Sequence, residues 1–157
     1  MAVQQGIDAV TGFLDRSGVT YEVLEHEQTF SAREDARASG VSPEDEAKGV
    51  LLRLGDGYCL AVIPASEQLD LHKVREIVGG AARLATEREM AAEYDQFDVG
   101  SLPPFGPMLD AKEIVDRRLL EHDTIVGAGG DHRHSIRLDP NEIVKVAEPT
   151  LADICQD

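Results

Sequence analysis

The chain has no tryptophan, and its seven tyrosines and phenylalanines make up only 4% of 157 residues. A core must therefore be filled by Val, Leu, Ile and Ala. Lysine is also scarce: four lysines stand among fifteen basic residues, against thirty acidic ones, for a formal net charge of −15. That balance excludes broad electrostatic capture of nucleic acid, which needs a basic face. DNA is not an expected partner, and any RNA must be met by a local patch or presented by another protein. An acidic surface of this kind serves solubility or matches a salty cytoplasm, and charge alone leaves both open. The two cysteines, Cys59 and Cys155, lie far apart without metal-ligand spacing, and Cys59 sits in an apolar run as a core residue would. No apolar run approaches the ~20 residues that span a bilayer. Met1-Ala-Val-Gln-Gln-Gly6 lacks the regions of a signal peptide. The expectation is a cytoplasmic protein with reduced thiols, no membrane contact and no cofactor.

What is present suffices for one domain over residues 1–157, with 42% hydrophobic residues. Ile7, Val10, Phe13 and Leu14 fall on one helical face, ended by Gly18. Val19–His26 reads as a strand with Tyr21, Val23 and Leu24 inward. Ser31 or Thr29 caps a second helix, with Glu34 at the capping-box position and Gly40 as the stop. Ser42–Glu46 forms a capped turn, and residues 49–54 and 58–64 form a hairpin around Gly55-Asp56-Gly57. Asp70 caps a helix reaching Val78, and Thr86 with Glu89 opens another. Met108-Leu109, Glu113–Val115, Asp123–Val126 and His134–Leu138 read as strands, and Asn141–Val146 as a final helix or strand end. Ala82–Leu84 is too short to assign. Irregular mixing of helices and strands predicts an α+β fold with a mixed, mostly antiparallel central sheet flanked by helices.

Candidate chemistry is sparse. The chain has no P-loop, no G-x-S-x-G and no G-x-G-x-x-G after a strand. Asp131-His132-Arg133-His134 places two histidines two residues apart, but no third ligand has a recommending spacing, so no metal is expected. Lys48 stands at the entry of an apolar strand behind Glu44, Asp45 and Glu46. It either pairs with those carboxylates or holds a positive charge at a cleft mouth, for a phosphate or a developing oxyanion. Asp98–Pro107 packs three prolines, two glycines and Phe105 into ten residues. Such backbone is neither helix nor central strand; it is a tight connection or a preformed wall.

Taken together, five segments resemble, in order, the YbaK/EbsC family, aminoacyl-tRNA deacylases that include the prolyl-tRNA synthetase-associated editing domain. They are His26–Ala36, Ala47–Leu54, Ala61–Pro64 with Leu69–Val74, Val99–Gly106, and Gly127–Leu138. The resemblance implies a YbaK-like fold and hydrolysis of a small mischarged amino acid, of the alanine or cysteine class, from the 3′ end of a tRNA, with proline tRNA preferred. Prolyl-tRNA synthetase is the implied partner. Lys48 matches the family lysine, and Gly100-Ser101-Leu-Pro-Pro104 matches its G-x-x-x-P element, so Lys48, Gly100 and Pro104 are the implied catalytic set. Lys48 anchors the phosphate or adenosine end and helps electrostatically, while Gly100 and Pro104 shape the pocket. Phe30, Ser101, Phe105, Gly129, Gly130, His134 and Ser135 are the implied substrate-binding residues. His132, His134 and Ser135 are the positions expected to set the amino acid. Gly49 departs from the Thr or Ser that many relatives carry after the lysine. An aminoacyl ester is already activated, so positioned water, the neighbouring ribose hydroxyl and an oxyanion site suffice without a nucleophilic side chain. The alternative is a non-catalytic module of the same fold binding a nucleotide or small ligand.

Overall fold

The computed structural model describes residues 4–157. The chain runs α1 (Gly6–Arg16), β1 (Glu22–Glu25), α2 (Ala32–Ala38), β2 (Glu46–Leu54), β3 (Tyr58–Pro64) and α3 (Leu71–Val78), then β4 (Ala82–Leu84), α4 (Glu87–Glu93), β5 (Lys112–Asp116), β6 (Ile125–Ala128), β7 (His134–Leu138), α5 (Pro140–Ala147) and β8 (Thr150–Ala152). Seven strands lie in the order β1-β7-β6-β2-β3-β5-β8, and β4 pairs with β2 beside that path. The fold is α+β with a mixed sheet, as expected. The antiparallel pairings β1–β7, β2–β3, β2–β4 and β6–β7 outnumber the parallel β2–β6, β3–β5 and β5–β8 by only one.

Side chains alternate across the central strands and build a core on each face. On one face Ala47, Leu51, Leu60, Val62, Val115 and Ile136 meet Val10 and Leu14 of α1 and Ile143 of α5. On the other, Leu52, Cys59, Ala61, Ile63 and Ile114 meet Val74 of α3 and Ile154. Capping follows the sequence closely. The Asp70 carboxylate accepts from the N–H groups of His72 and Lys73, and Thr86 and Glu89 close a full capping box. At α2 the Ser31 hydroxyl accepts from the Glu34 N–H, but the Glu34 carboxylate reaches the Phe30 N–H instead of closing the box on Ser31.

Two expectations are corrected and two further elements appear. Val23 is 39% exposed rather than inward, because β1 is an edge strand with little packed over it. Residues 106–109 form a 3-10 turn, not a strand, since Gly106-Pro107 starts a turn at φ values suited to it. A second such turn, Arg117–Glu121, and strand β8 were not anticipated. Both are short and depend on tertiary partners: the turn is capped by the buried Asp116, and β8 lies along β5.

One detail of the sheet positions everything that follows. Strand β6 pairs with β2 only at Glu46 and Ala47, and β4 pairs with the same strand only from Leu52 to Leu54. Between them β2 has no strand neighbour on that edge, and the gap begins at Lys48.

Candidate active site

A cavity of about 370 Å³ opens at this gap. Its walls are the start of α2 with the residues before it (Thr29–Arg33 and Asp35), the first four residues of β2 (Glu46–Gly49), and Gly100–Leu102; Ala65, Ala128, Asp131 and His132 complete it. Lys48 and Glu46 lie two residues apart on one strand and so share a face. Lys48 is exposed and takes part in none of the ion pairs among the described residues, so the acidic turn before it does not neutralise it. Asp45 pairs with His122 instead, at 2.8 Å.

The Pro/Gly segment is a wall at one end and core at the other. Gly100 takes φ +88°, a left-handed conformation that only glycine adopts without strain, and turns the chain into the cavity. The Ser101 N–H donates to the Asp98 carbonyl, and Ser101 Oγ lies 2.8 Å from His132 Nδ1. From Ser101 to Gly106 every residue is buried. Pro104 stands so close to β6 that a Cβ on Gly127 would lie 2.9 Å from its Cγ. The segment is thus clamped against the sheet behind the wall it presents.

Beneath the cavity lies a polar network that carries no exposed charge. Asp35 accepts from Ser135 Oγ at 2.7 and 2.8 Å and from Thr29 Oγ1 at 3.4 Å, and pairs with His26 Nε2 at 2.9 Å. His26 Nδ1 lies 2.7 Å from the Glu27 carbonyl, an acceptor, so that nitrogen carries a proton. Glu46 is buried beside Asp35. Burial first, then the hydrogen bond and charge of Asp35, push its carboxyl up to about 11, so it stays protonated at neutral pH.

The structure brings together only some of the residues singled out from sequence. Lys48, Gly100, Ser101 and Phe30 line the cavity. Phe30 is 68% exposed at the rim, with its ring 5.2 Å from that of His132, so it is not a core residue. Pro104 shapes the wall from behind without reaching the lining. Phe105 is fully buried and stacks on Phe13, which removes it from any contact with substrate. The Gly129 N–H is engaged by the His134 carbonyl, Gly130 packs on Gly6, and neither glycine belongs to the cavity lining. His132 and His134 part company: His134 Nδ1 meets Asp131 at 2.8 Å away from the lining, while only His132 enters it. Ser135 is buried and donates to Asp35, outside the cavity lining. No group of three metal-ligating side chains converges among the described residues.

Sequence reasoning missed Glu46, Asp35 and the role of His26. Glu46 read as one of three acids in an exposed turn; strand alternation from Lys48 was the signal that could have singled it out.

The aminoacyl-tRNA editing domain profile matches residues 26–146. The chain belongs to this family. Every residue lining the cavity falls within the matched segment of the editing domain. A curated relative, the multifunctional Ser/Thr-tRNA deacylase ProXp-y of Escherichia coli K12, is 26% identical over 148 residues, covering 89% of this chain and 87% of that protein. Among solved structures, a proposed trans-editing enzyme for prolyl-tRNA synthetase superposes with a TM-score of 0.87 at 27% identity, covering 99% of this chain and 100% of the other. A scaffold from work on epitope backbone grafting gives 0.86 at 28% identity, covering 95% and 96%. The editing domain thus keeps its fold over the whole described chain.

Proposed function

We propose that this editing domain is a free-standing aminoacyl-tRNA deacylase that removes a small amino acid from the 3′ end of a mischarged tRNA in the cytoplasm. The observation that carries this reading is the unpaired Lys48 ammonium at the mouth of a cavity whose opposite wall, Gly100–Leu102, is fixed by the clamped segment behind it. The cavity is at the small end of ligand pockets, which run from about 300 to about 1,000 Å³. A rigid wall matters because one methylene alone yields only ~1–3 kcal/mol of discrimination, so larger amino acids must be excluded by clash.

In this reading the ester carbonyl lies near Lys48, whose charge stabilises the oxyanion of the tetrahedral intermediate or holds the adjoining phosphate. The ring of Phe30, exposed beside His132, offers a stacking face for the terminal adenine. Water attacks, aided by the neighbouring ribose hydroxyl, and no side-chain nucleophile is required. Ser101, positioned by His132, lines the amino-acid end. The Ser31 and Ser101 hydroxyls in the mixed lining can bond a hydroxyl-bearing side chain, and the E. coli relative is a Ser/Thr-tRNA deacylase. Serine and threonine therefore come before the alanine and cysteine expected from sequence. Proline tRNA and an association with prolyl-tRNA synthetase are supported by the description of the structural relative.

The test is hydrolysis of seryl-, threonyl-, alanyl- and cysteinyl-tRNA by the wild-type protein and Lys48→Ala. Rapid loss of one or two esters is expected, with Lys48→Ala slower by about 100-fold, the usual effect of removing one oxyanion-stabilising group. Equal rates in the variant overturn the role of Lys48. Failure to cleave any ester, with or without the synthetase, favours a ligand-binding module.

A further inference from the structure

Alternation along β2 assigns the main-chain groups of each residue to one edge of the strand. The Leu54 N–H donates to the Gly57 carbonyl, and the Glu46 carbonyl accepts from the Ala65 N–H, so even-numbered residues face β3. Odd-numbered residues face the other edge. There Ala47 lies along β6, the Leu51 carbonyl accepts from the Ala85 N–H, and Arg53 pairs with Arg83 of β4. Gly49 falls between them, in the gap. Its N–H and C=O meet no partner among the described residues. Gly49 is half-buried, lines the cavity and has no side chain to cover either group. A strand residue left with both groups unbonded beside a cavity is a docking point for another piece of main chain.

We infer that the aminoacyl group of the substrate pairs with Gly49 as a single added strand residue. The inference rests on the deacylase reading. An aminoacyl ester is one amino-acid residue, with a nitrogen donor on one side of its α-carbon and a carbonyl acceptor on the other. In an antiparallel pair two such residues exchange both hydrogen bonds at a Cα separation of about 5.5 Å. The α-ammonium then donates to the Gly49 carbonyl, and the Gly49 N–H donates to the ester carbonyl oxygen. When water adds to the ester carbon, the carbonyl electron pair moves onto that same oxygen, and the N–H holds the resulting oxyanion. Collapse breaks the bond to the ribose oxygen, which leaves with the proton given up by the water. Residues directly opposite in such a pair carry their side chains on the same face. The amino-acid side chain therefore lies on the face toward which a Cβ on Gly49 would point, where Leu60 Cδ1 and the Leu102 carbonyl oxygen are the nearest atoms. The missing Cβ leaves room for it beside the Gly100–Leu102 wall.

The Gly49 amide can be watched alone, because Lys48-Gly49 is the one Lys-Gly step in the sequence. Protein labelled with carbon-13 at the lysine carbonyl and nitrogen-15 in glycine gives a single carbonyl-coupled amide resonance. The probes are 3′-amino-3′-deoxyadenosine carrying serine, threonine, alanine or cysteine through an amide, with adenosine as the control. At saturation, set by calorimetric titration, the aminoacyl probe that binds tightest is expected to move this amide proton downfield. It should also slow exchange with solvent about tenfold, the scale of one added hydrogen bond. Adenosine should do neither. A bound aminoacyl probe that leaves the Gly49 amide unmoved and unprotected overturns the inference. So does binding of none of the four, or the same change with adenosine alone. Gly49→Ala keeps the N–H and adds a methyl group beside the bound side chain. It should cost the threonyl probe about tenfold more affinity than the alanyl probe, and equal losses overturn the pairing. Should that variant fail to fold, the wild-type resonance decides alone. The two readings fail separately. Turnover of a mischarged tRNA with an unmoved Gly49 amide removes the pairing and keeps the deacylase. A shifted, protected amide without turnover of any ester supports the pairing and removes the deacylase.

Discussion

Glu113 shows how a single buried acid sets a pH dependence. It stands on β5, fully engaged on one oxygen by the Gly106 N–H, while its second oxygen has no partner. Burial raises its carboxyl to about 8, and the bond from Gly106 only partly opposes the rise. An acid whose folded value exceeds its unfolded one binds more protons in the native state. Stability therefore falls as pH climbs from the unfolded value of about 4.5 through about 8. Glu46 has the same sign, with its decline running on toward about 11. In Glu113→Gln the first part of this decline should vanish. The Tm of the variant relative to wild type is expected to rise by several degrees between about pH 5 and about pH 9, a change on the order of 1–3 kcal/mol. Thermal melts at matched ionic strength check it. A constant offset between the two proteins across that range means Glu113 is ionised in the native state at both ends.

At the scale of elements, the segment from Asp98 to Pro107 joins the fold to the site. Its rigidity was legible in its composition, because proline and glycine leave few other backbone choices. Which side chains point into the cavity was not legible. Phe105 and Pro104 look as available as Ser101 in sequence, and only the packing against Phe13 and Gly127 turns them inward. Helix caps, the hairpin and the strand carrying Lys48 follow from local chemistry and could be read directly. The polar network could not, since His26, Asp35, Glu46 and Ser135 are up to about a hundred positions apart and meet only through β1–β7 and α2–β2 contacts. Gly127 provides the test of the clamp. In Gly127→Ala the new Cβ meets the stiff ring of Pro104 at 2.9 Å, so the segment or β6 must shift. A loss of about 1–3 kcal/mol is expected from overpacking of this kind. Because the displaced segment carries Gly100 and Ser101, kcat/KM for deacylation should fall at temperatures where the variant remains folded. Melting curves alongside kinetics separate the two effects. Undiminished kcat/KM in a destabilised variant means that the wall holds its place without the clamp.

For the whole molecule, the puzzle is a chain of net charge −15 acting on a polyanion. Among the described residues, only Arg33, Lys48 and His132 bring basic groups to the cavity lining, against Asp35, Glu46 and Asp131. Two electrostatic effects then oppose one another as salt rises. Long-range repulsion between protein and tRNA fades as the screening length shrinks from about 14 Å near 0.05 M to about 6 Å near 0.3 M. Contact with one or two phosphates weakens, but with a shallow slope because so few counterions are released. The repulsion spans the whole surface and the contacts only the site, so screening should win. We therefore expect kcat/KM for intact aminoacyl-tRNA to stay level or rise across that range. An aminoacyl-adenosine substrate, which lacks the polyanion, should lose little or nothing over the same range. A fall of tenfold or more with tRNA would reveal a basic docking surface that the cavity lining does not include. The opposite result, a rise with tRNA alone, fits an editor that meets only the aminoacylated tip and relies on a partner to present the rest. Adding prolyl-tRNA synthetase should then raise kcat/KM most at low salt, where the unaided encounter is poorest.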